Sequence, residues 1–171
     1  MSDIATLGAQ GWDITNPPRK GSVVLASSAA PVSLTGTTVE SVMALVNIPP
    51  SGIAQHGRGR VKTFWQMTSN TNAKTPRIRL GGLAGIELAN GNITTAVPFA
   101  TLSGEFMNAG GGNIIYFQDW LAGGNVAAIG GTGGTVAMNM ALAQPLVITG
   151  QLAAPGDTLT LLGYSFEALN I

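Results

Sequence analysis

The chain offers little for catalysis. His56 is the only histidine and there is no cysteine, so no His–His or His–Cys metal cluster can form within one chain. Set between Gln55 and Gly57, it reads as a solvated loop histidine; a site built by copies around a threefold axis is the rarer alternative. A Ser-His-Asp triad is formally available, but no Gly-x-Ser-x-Gly elbow supports it. The carboxylates Asp3, Asp13, Glu40, Glu87, Glu105, Asp119, Asp157 and Glu167 are spread evenly, without the close pair that glycoside hydrolysis uses. The run Gly130-Gly131-Thr132-Gly133-Gly134 lacks the Gly-Lys-Ser/Thr ending of a phosphate loop and opens no helix. These residues point to binding, with no catalytic residue, cofactor or metal expected.

Six of the eight basic residues are Arg58, Arg60, Lys62, Lys74, Arg77 and Arg79, expected on two neighbouring strands and interleaved with Phe64 and Trp65. That pattern suits either a nucleic-acid face or a polar stripe pairing with a neighbour's carboxylates. A chain of net charge zero lacks the electrostatic footprint that drives nucleic-acid affinity, which favours the stripe. Asn113, Tyr116, Asp119 and Trp120 fit a carbohydrate site or a buried interface equally well.

The elements that must position these groups are strands. From Thr37 onward β-branched and aromatic residues alternate with polar ones between Gly, Pro and Asn clusters. Val42, Ala44, Val46 and Ile48 are expected on one face, with Pro49-Pro50-Ser51-Gly52 ending the strand. Val61, Thr63, Trp65 and Met67 share a face against Arg60, Lys62, Phe64 and Gln66. The polar turn of residues 69–74 leads into Arg77-Ile78-Arg79-Leu80. Further strands are expected at 85–89, 97–107, 113–118, 135–142, 146–152 and 158–168, with Leu159, Leu161, Gly163 and Ser165 opposite Thr160, Leu162, Tyr164 and Phe166. Ala154-Pro155-Gly156-Asp157 reads as a type II turn, and a helical turn is conceivable only near Asp119-Trp120-Leu121. Eight to ten short strands imply an all-β antiparallel sandwich of jelly-roll type spanning 32–171.

Residues 1–31 have no periodicity and hold Pro17, Pro18 and Pro31, so they read as an extended N-terminal arm. Trp12 is its expected anchor, and Val23, Val24 and Leu25 a short strand pairing either with a neighbour's edge or with its own domain. Deleting residues 2–25 is expected to leave the sandwich folded.

Composition adds assembly. Only 9% of the residues are charged, against roughly 25% in an average soluble domain, and none lies between Asp119 and Asp157. So little charge on a free surface invites association, and much of the exterior is expected to be covered by other copies or partners. The start carries no basic and apolar leader. The uncharged stretch is broken by glycines and Pro145 too often for a membrane-spanning helix.

Several stretches in order resemble a jelly-roll domain of tailed-bacteriophage virion proteins: Ser33-Leu34-Thr35-Gly36-Thr37-Thr38, the basic Trp-containing span from Asn47 to Gly82, the loop at 130–134, and residues 146–169. The resemblance covers about 33–170. It implies a capsid decoration or cement protein, or a head- or tail-fibre tip that recognises host glycan; commonly a homotrimer, held in a virion assembled in the host cytoplasm. Its partners would be copies of itself and the major capsid protein or another virion protein, with no direct nucleic-acid or membrane contact. The chain departs from that pattern at 106–129, where Phe106, Met107, Ile114, Ile115, Tyr116, Phe117, Trp120 and Leu121 replace a Ser/Thr/Gly loop and read as an added apolar contact surface. The expected interface residues are therefore Trp12, Arg58, Arg60, Arg77, Arg79, Phe106, Ile115, Phe117 and Trp120.

Overall fold

The computed structural model describes residues 21–109, 114–122 and 134–170. Among them are eleven strands and no helix: β1 (Gly21–Ser28), β2 (Val32–Thr35), β3 (Ser41–Ile48), β4 (Arg58–Met67), β5 (Lys74–Leu80), β6 (Ile86–Asn90), β7 (Phe99–Asn108), β8 (Ile114–Ala122), β9 (Gly134–Ala137), β10 (Gln144–Leu152) and β11 (Thr158–Asn170). The residues around Asp119 expected as a helical turn lie within β8.

The strands form two antiparallel sheets packed as a sandwich. The larger runs β1-β11-β4-β7-β8-β9, and β2 also pairs with β11; the smaller runs β3-β10-β5-β6. Along one edge of β11, β1 lies beside Tyr164–Asn170 and β2 beside Thr158–Leu161. Gly163 sits near the break between them, where a Cβ would come 2.7 Å from the Ser28 carbonyl oxygen. Gly21–Ser28 is thus a strand of the domain, which corrects the expected arm boundary at 31. The polypeptide needed this strand because β11 would otherwise present an unpaired edge. Residues 1–20, including Trp12, lie outside the described residues.

Alternation places the core where expected along β4: Val61, Thr63, Trp65 and Met67 are buried, and Arg60, Lys62, Phe64 and Gln66 are exposed. Buried Thr63 stays satisfied, since its hydroxyl donates to the Leu102 carbonyl (2.9 Å) and accepts from Trp65 Nε1 (2.7 Å). Two strands break the simple period. In β3 the register with β10 shifts between Val42 and Ala44, so Met43 is buried with Val46 and Ile48, whereas Val42 is exposed. In β11 a shift at Leu162 reverses the faces, burying Leu159 and Leu161 before it and Phe166 and Ala168 after it. One extra residue at a bulge inverts every later side chain. The turn at 154–157 closes with Asp157 N–H donating to Ala154 O (3.2 Å), but Gly156 is not among the positive-φ glycines. It is therefore not the expected type II turn.

Candidate interaction surfaces

The six clustered basic residues do not form one stripe. β4 and β5 belong to different sheets, so Arg58, Arg60 and Lys62 lie on the larger sheet, Arg77 and Arg79 on the smaller, and Lys74 is wholly buried. Sequence adjacency suggested neighbouring strands; the connection between β4 and β5 instead crosses from one sheet to the other.

On the outer side of the smaller sheet, Arg77 and Arg79 share two carboxylates. Arg79 Nε lies 2.9 Å from Glu40 Oε1 and its Nη2 3.1 Å from Glu87 Oε2; Arg77 Nη1 lies 3.3 Å from Glu40 Oε2 and its Nε 3.2 Å from Glu87 Oε2. Thr149 donates to Glu40 Oε1 (2.6 Å), and Arg77 Nη1 donates to Gln151 Oε1 (3.0 Å). Burial pushes the Glu40 carboxyl up, but hydrogen bonds from Arg79 and Thr149 and the charges of Arg77 and Arg79 outweigh it, leaving its pKa below the ordinary range. Glu40 and Glu87 are thus brought together in space, each held by both arginines, unlike the free carboxyl that a general acid presents to its substrate.

On the larger sheet, Arg60 Nε lies 2.5 Å from Glu105 Oε1 and Arg58 Nη1 4.0 Å from Glu105 Oε2. The expected partners of all four arginines were a neighbour's carboxylates; each has a carboxylate of its own chain. Beyond this pair the face carries two exposed phenylalanines among polar residues. Phe64 (42% exposed) and Phe99 (56%) sit diagonally across β4 and β7, where Phe64 faces Thr101 and Gln66 faces Phe99. The Lys62 ammonium stands 5.2 Å from the Phe64 ring centroid, a cation–π contact. Tyr116 is exposed at the far end of β8.

The expected contact surface of 106–121 is corrected in part. Phe106 and Ile115 are core residues, 1% and 0% exposed, and Phe106 stacks on Phe166 with ring centroids 6.4 Å apart. The closed sandwich had room for them between its sheets, where Gly59 leaves the space a side chain would fill. Phe117 and Trp120 lie on β8, with Phe106 and Ser103 as backbone partners; their side chains fall outside the description.

Sequence reading missed the buried cluster at the other end of the sandwich. Lys74, assigned to a polar turn, has its ammonium 3.7 Å from Asp157 Oδ2 and donates to both the side-chain and main-chain oxygens of Asn70. Asn70 Nδ2 and Asn72 Nδ2 donate to the two Asp157 oxygens at 2.7 and 3.0 Å. The Asn70 hydrogen bond is the main cause holding the Asp157 carboxyl below its ordinary range, opposed by burial and aided by Asn72 and Lys74. The only available signal was a Ser-Asn-Thr-Asn-Ala-Lys turn whose asparagines can bond locally.

His56 is exposed in the loop before β4 with a φ of 63°, and its N–H donates to the Asn108 carbonyl (2.8 Å). Among the described residues no three His, Asp or Glu side chains gather as a metal site, and no helix is long and apolar enough to cross a membrane.

These features define an all-β antiparallel sandwich of jelly-roll type in which the described arginines and Lys74 pair with carboxylates of the same chain. No family model and no curated protein matches the sequence. Among solved structures it is similar to lectin I of Ulex europaeus (8% identity, 86% of this chain and 91% of that one, TM-score 0.38) and the Lotus tetragonolobus seed lectin (8%, 86% and 92%, 0.39). It is also similar to the CBM2 module of the evolved Dit of Lactobacillus casei BL23 phage J-1 (10%, 74% and 69%, 0.37). Each is a likeness of chain path and says nothing of what this chain binds.

Proposed function

We propose that the chain is a non-enzymatic structural protein of a tailed-phage particle, decorating or cementing the capsid as an oligomer, most simply a trimer. The observation that carries this reading is the internal pairing of charge. Arg77 and Arg79 are neutralised by Glu40 and Glu87, Lys74 by Asp157, and Glu105 holds Arg58 and Arg60. An already charge-poor chain is left with exposed apolar groups on its sheet faces, among them Val42, Leu45, Phe64 and Phe99, a composition suited to burial against other subunits. The resemblance to phage virion jelly rolls supports the location. Binding energy spread over several capsid subunits would raise the cost of separating them.

A second reading, a fibre tip that binds host glycan, is favoured by Phe64 and Phe99, both exposed and diagonal to one another across β4 and β7, with Gln66 opposite Phe99. Imaging purified particles that carry labelled protein separates the two. Decoration gives many copies over the head; a tip gives few copies at discrete positions, together with retention on host polysaccharide. Absence of the protein from particles would end both.

A further inference from the structure

Lys74 has no exposed surface, and a lysine that deep normally takes a carboxylate as its nearest partner. Here the nearest oxygen belongs to an amide. The Lys74 ammonium donates directly to Asn70 Oδ1, with the Asn70 main-chain oxygen at 3.3 Å and Asp157 Oδ2 farther off at 3.7 Å. One C=O bond, about 1.2 Å, separates Oδ1 from Cγ, so the nitrogen stands within reach of an acyl carbon.

The surrounding groups supply what acyl transfer uses. The Asn72 main-chain N–H donates to Asn70 Oδ1 (3.0 Å), placed where negative charge develops when that carbonyl is attacked. Asp157 spans the two nitrogens: its Oδ2 faces Lys74 Nζ, and its Oδ1 accepts from Asn70 Nδ2 at 2.7 Å. Asn72 Nδ2 donates to Oδ2 (3.0 Å) and fixes the carboxylate's orientation. Asp157 starts ionised, since the Asn70 hydrogen bond above all holds its carboxyl below the ordinary range, and an ionised carboxylate can take a proton. The backbone holds these parts in place. Lys74 is paired with Ile93 on one side and Leu152 on the other, while Thr68 and Ala73 at the two ends of the turn bond to Thr158 and Ala153. Groups held this way react as one molecule, without the entropy cost of an encounter.

We propose that Lys74 and Asn70 join in an intramolecular isopeptide bond, with Asp157 as the proton shuttle. Lys74 Nζ gives a proton to Asp157 Oδ2 and attacks Asn70 Cγ with the freed electron pair. The Nζ–Cγ bond forms, and Oδ1 carries the negative charge against the Asn72 N–H. The Cγ–Nδ2 bond then breaks, its electron pair leaving on Nδ2, which collects the shuttled proton from Asp157 Oδ1 and the second proton shed by Nζ. A lysine ammonium and an asparagine amide become one secondary amide and an ammonium ion, and Asp157 returns to the carboxylate. The step needs no oxidant or reductant. It occurs once per chain, so it makes the protein a self-modifying one and not an enzyme, and it ties the turn to the first residue of β5 in whatever particle the chain joins.

Trypsin digestion of the full chain followed by mass spectrometry reads the bond directly. Without the bond, cleavage after Lys62, Lys74 and Arg77 releases residues 63–74 at full mass. With it, trypsin passes over Lys74, and residues 63–77 appear as one peptide lighter than its sequence by one ammonia, which is the expected dominant form. A free 63–74 peptide of full mass overturns the proposal. Loss of ammonia with Lys74 still cleaved overturns it too, because a succinimide at Asn70 has that signature. A peptide joining Lys74 to Asp157 through loss of water would make Asp157 the acyl donor and also sink the idea. Asp157→Asn should abolish the bond in a chain that keeps its β-sheet circular dichroism; a bond formed as completely without the carboxylate removes the shuttle and refutes the mechanism. Should that variant not fold, Asn70→Ala keeps both Lys74 and Asp157 and must restore cleavage after Lys74, and continued resistance there would rule out Asn70 as the acyl donor.

Discussion

Asp157 and Lys74 carry the sharpest single-residue expectations. Asp157 and Glu40 both have pKa values below their ordinary values of 3.8 and 4.5, so each favours the fold when ionised. That contribution is fully present above the ordinary values and is lost as pH falls through the lowered ones. Chemical denaturation from pH 7 to pH 2 should show stability falling in that acid window, and Asp157→Asn should flatten the fall while lowering stability at pH 7. Lys74→Met leaves Asp157 without its cation and should lower the Tm clearly, whereas Lys62→Met on the exposed face should barely change it. The double variant Lys74→Met/Asp157→Asn should recover part of the loss. Glycines give a paired test of packing. A Cβ at Gly59 would lie 2.4 Å from Phe106 Cζ, while one at Gly156 meets nothing within 4 Å. Gly59→Ala should cost about 1–3 kcal/mol in urea unfolding and Gly156→Ala less than about 0.5 kcal/mol. None of this was legible in the sequence, because a lysine in an Asn-rich turn looks solvated until the turn is seen folded under another loop.

At the scale of the strand, alternation was readable wherever the ladder is regular and misleading wherever it bulges. β4 and β5 have the faces their sequences announce. Val42 and Phe166 do not, since a bulge is set by the partner strand and leaves no mark on the period of its own. Leu162 is the unpaired residue of the β11 bulge; deleting Ser165, beyond it, would turn Phe166 outward, so that deletion should destabilise the domain by at least about 3 kcal/mol, comparable with truncating a buried aromatic. Phe106→Ala should cost about 3–5 kcal/mol for the same reason; a variant of normal stability that merely failed to assemble would return Phe106 to an interface. The N-terminal strand follows the same logic. Removing residues 2–20 spares every ladder of the larger sheet, whereas removing residues 2–28 takes away β1 and bares the β11 edge. Loss of cooperative unfolding is expected only for the longer deletion.

For the whole molecule, assembly driven by uncharged faces should be insensitive to salt, because the ion pairs are made within each chain and screening affects them little across an interface. Light scattering at micromolar concentration should give an oligomer unchanged between 0.15 and about 1 M salt. Phe64→Ser with Phe99→Ser should dissociate it while keeping monomer stability within about 0.5 kcal/mol, as surface substitutions do. A stable monomer from the parent chain would refute the argument from composition. The sequence by itself determined the strand content, the sandwich class and the shortage of charge, since these follow from local alternation, turn residues and composition, which neighbours in the chain suffice to express. Only the tertiary structure decided which arginines meet which carboxylates, that Phe106 and Ile115 are core, that Lys74 is buried, and that Gly21–Ser28 closes an edge. Those depend on which strands lie side by side and on where a bulge reverses a face, and both are fixed by contacts between residues far apart in the chain.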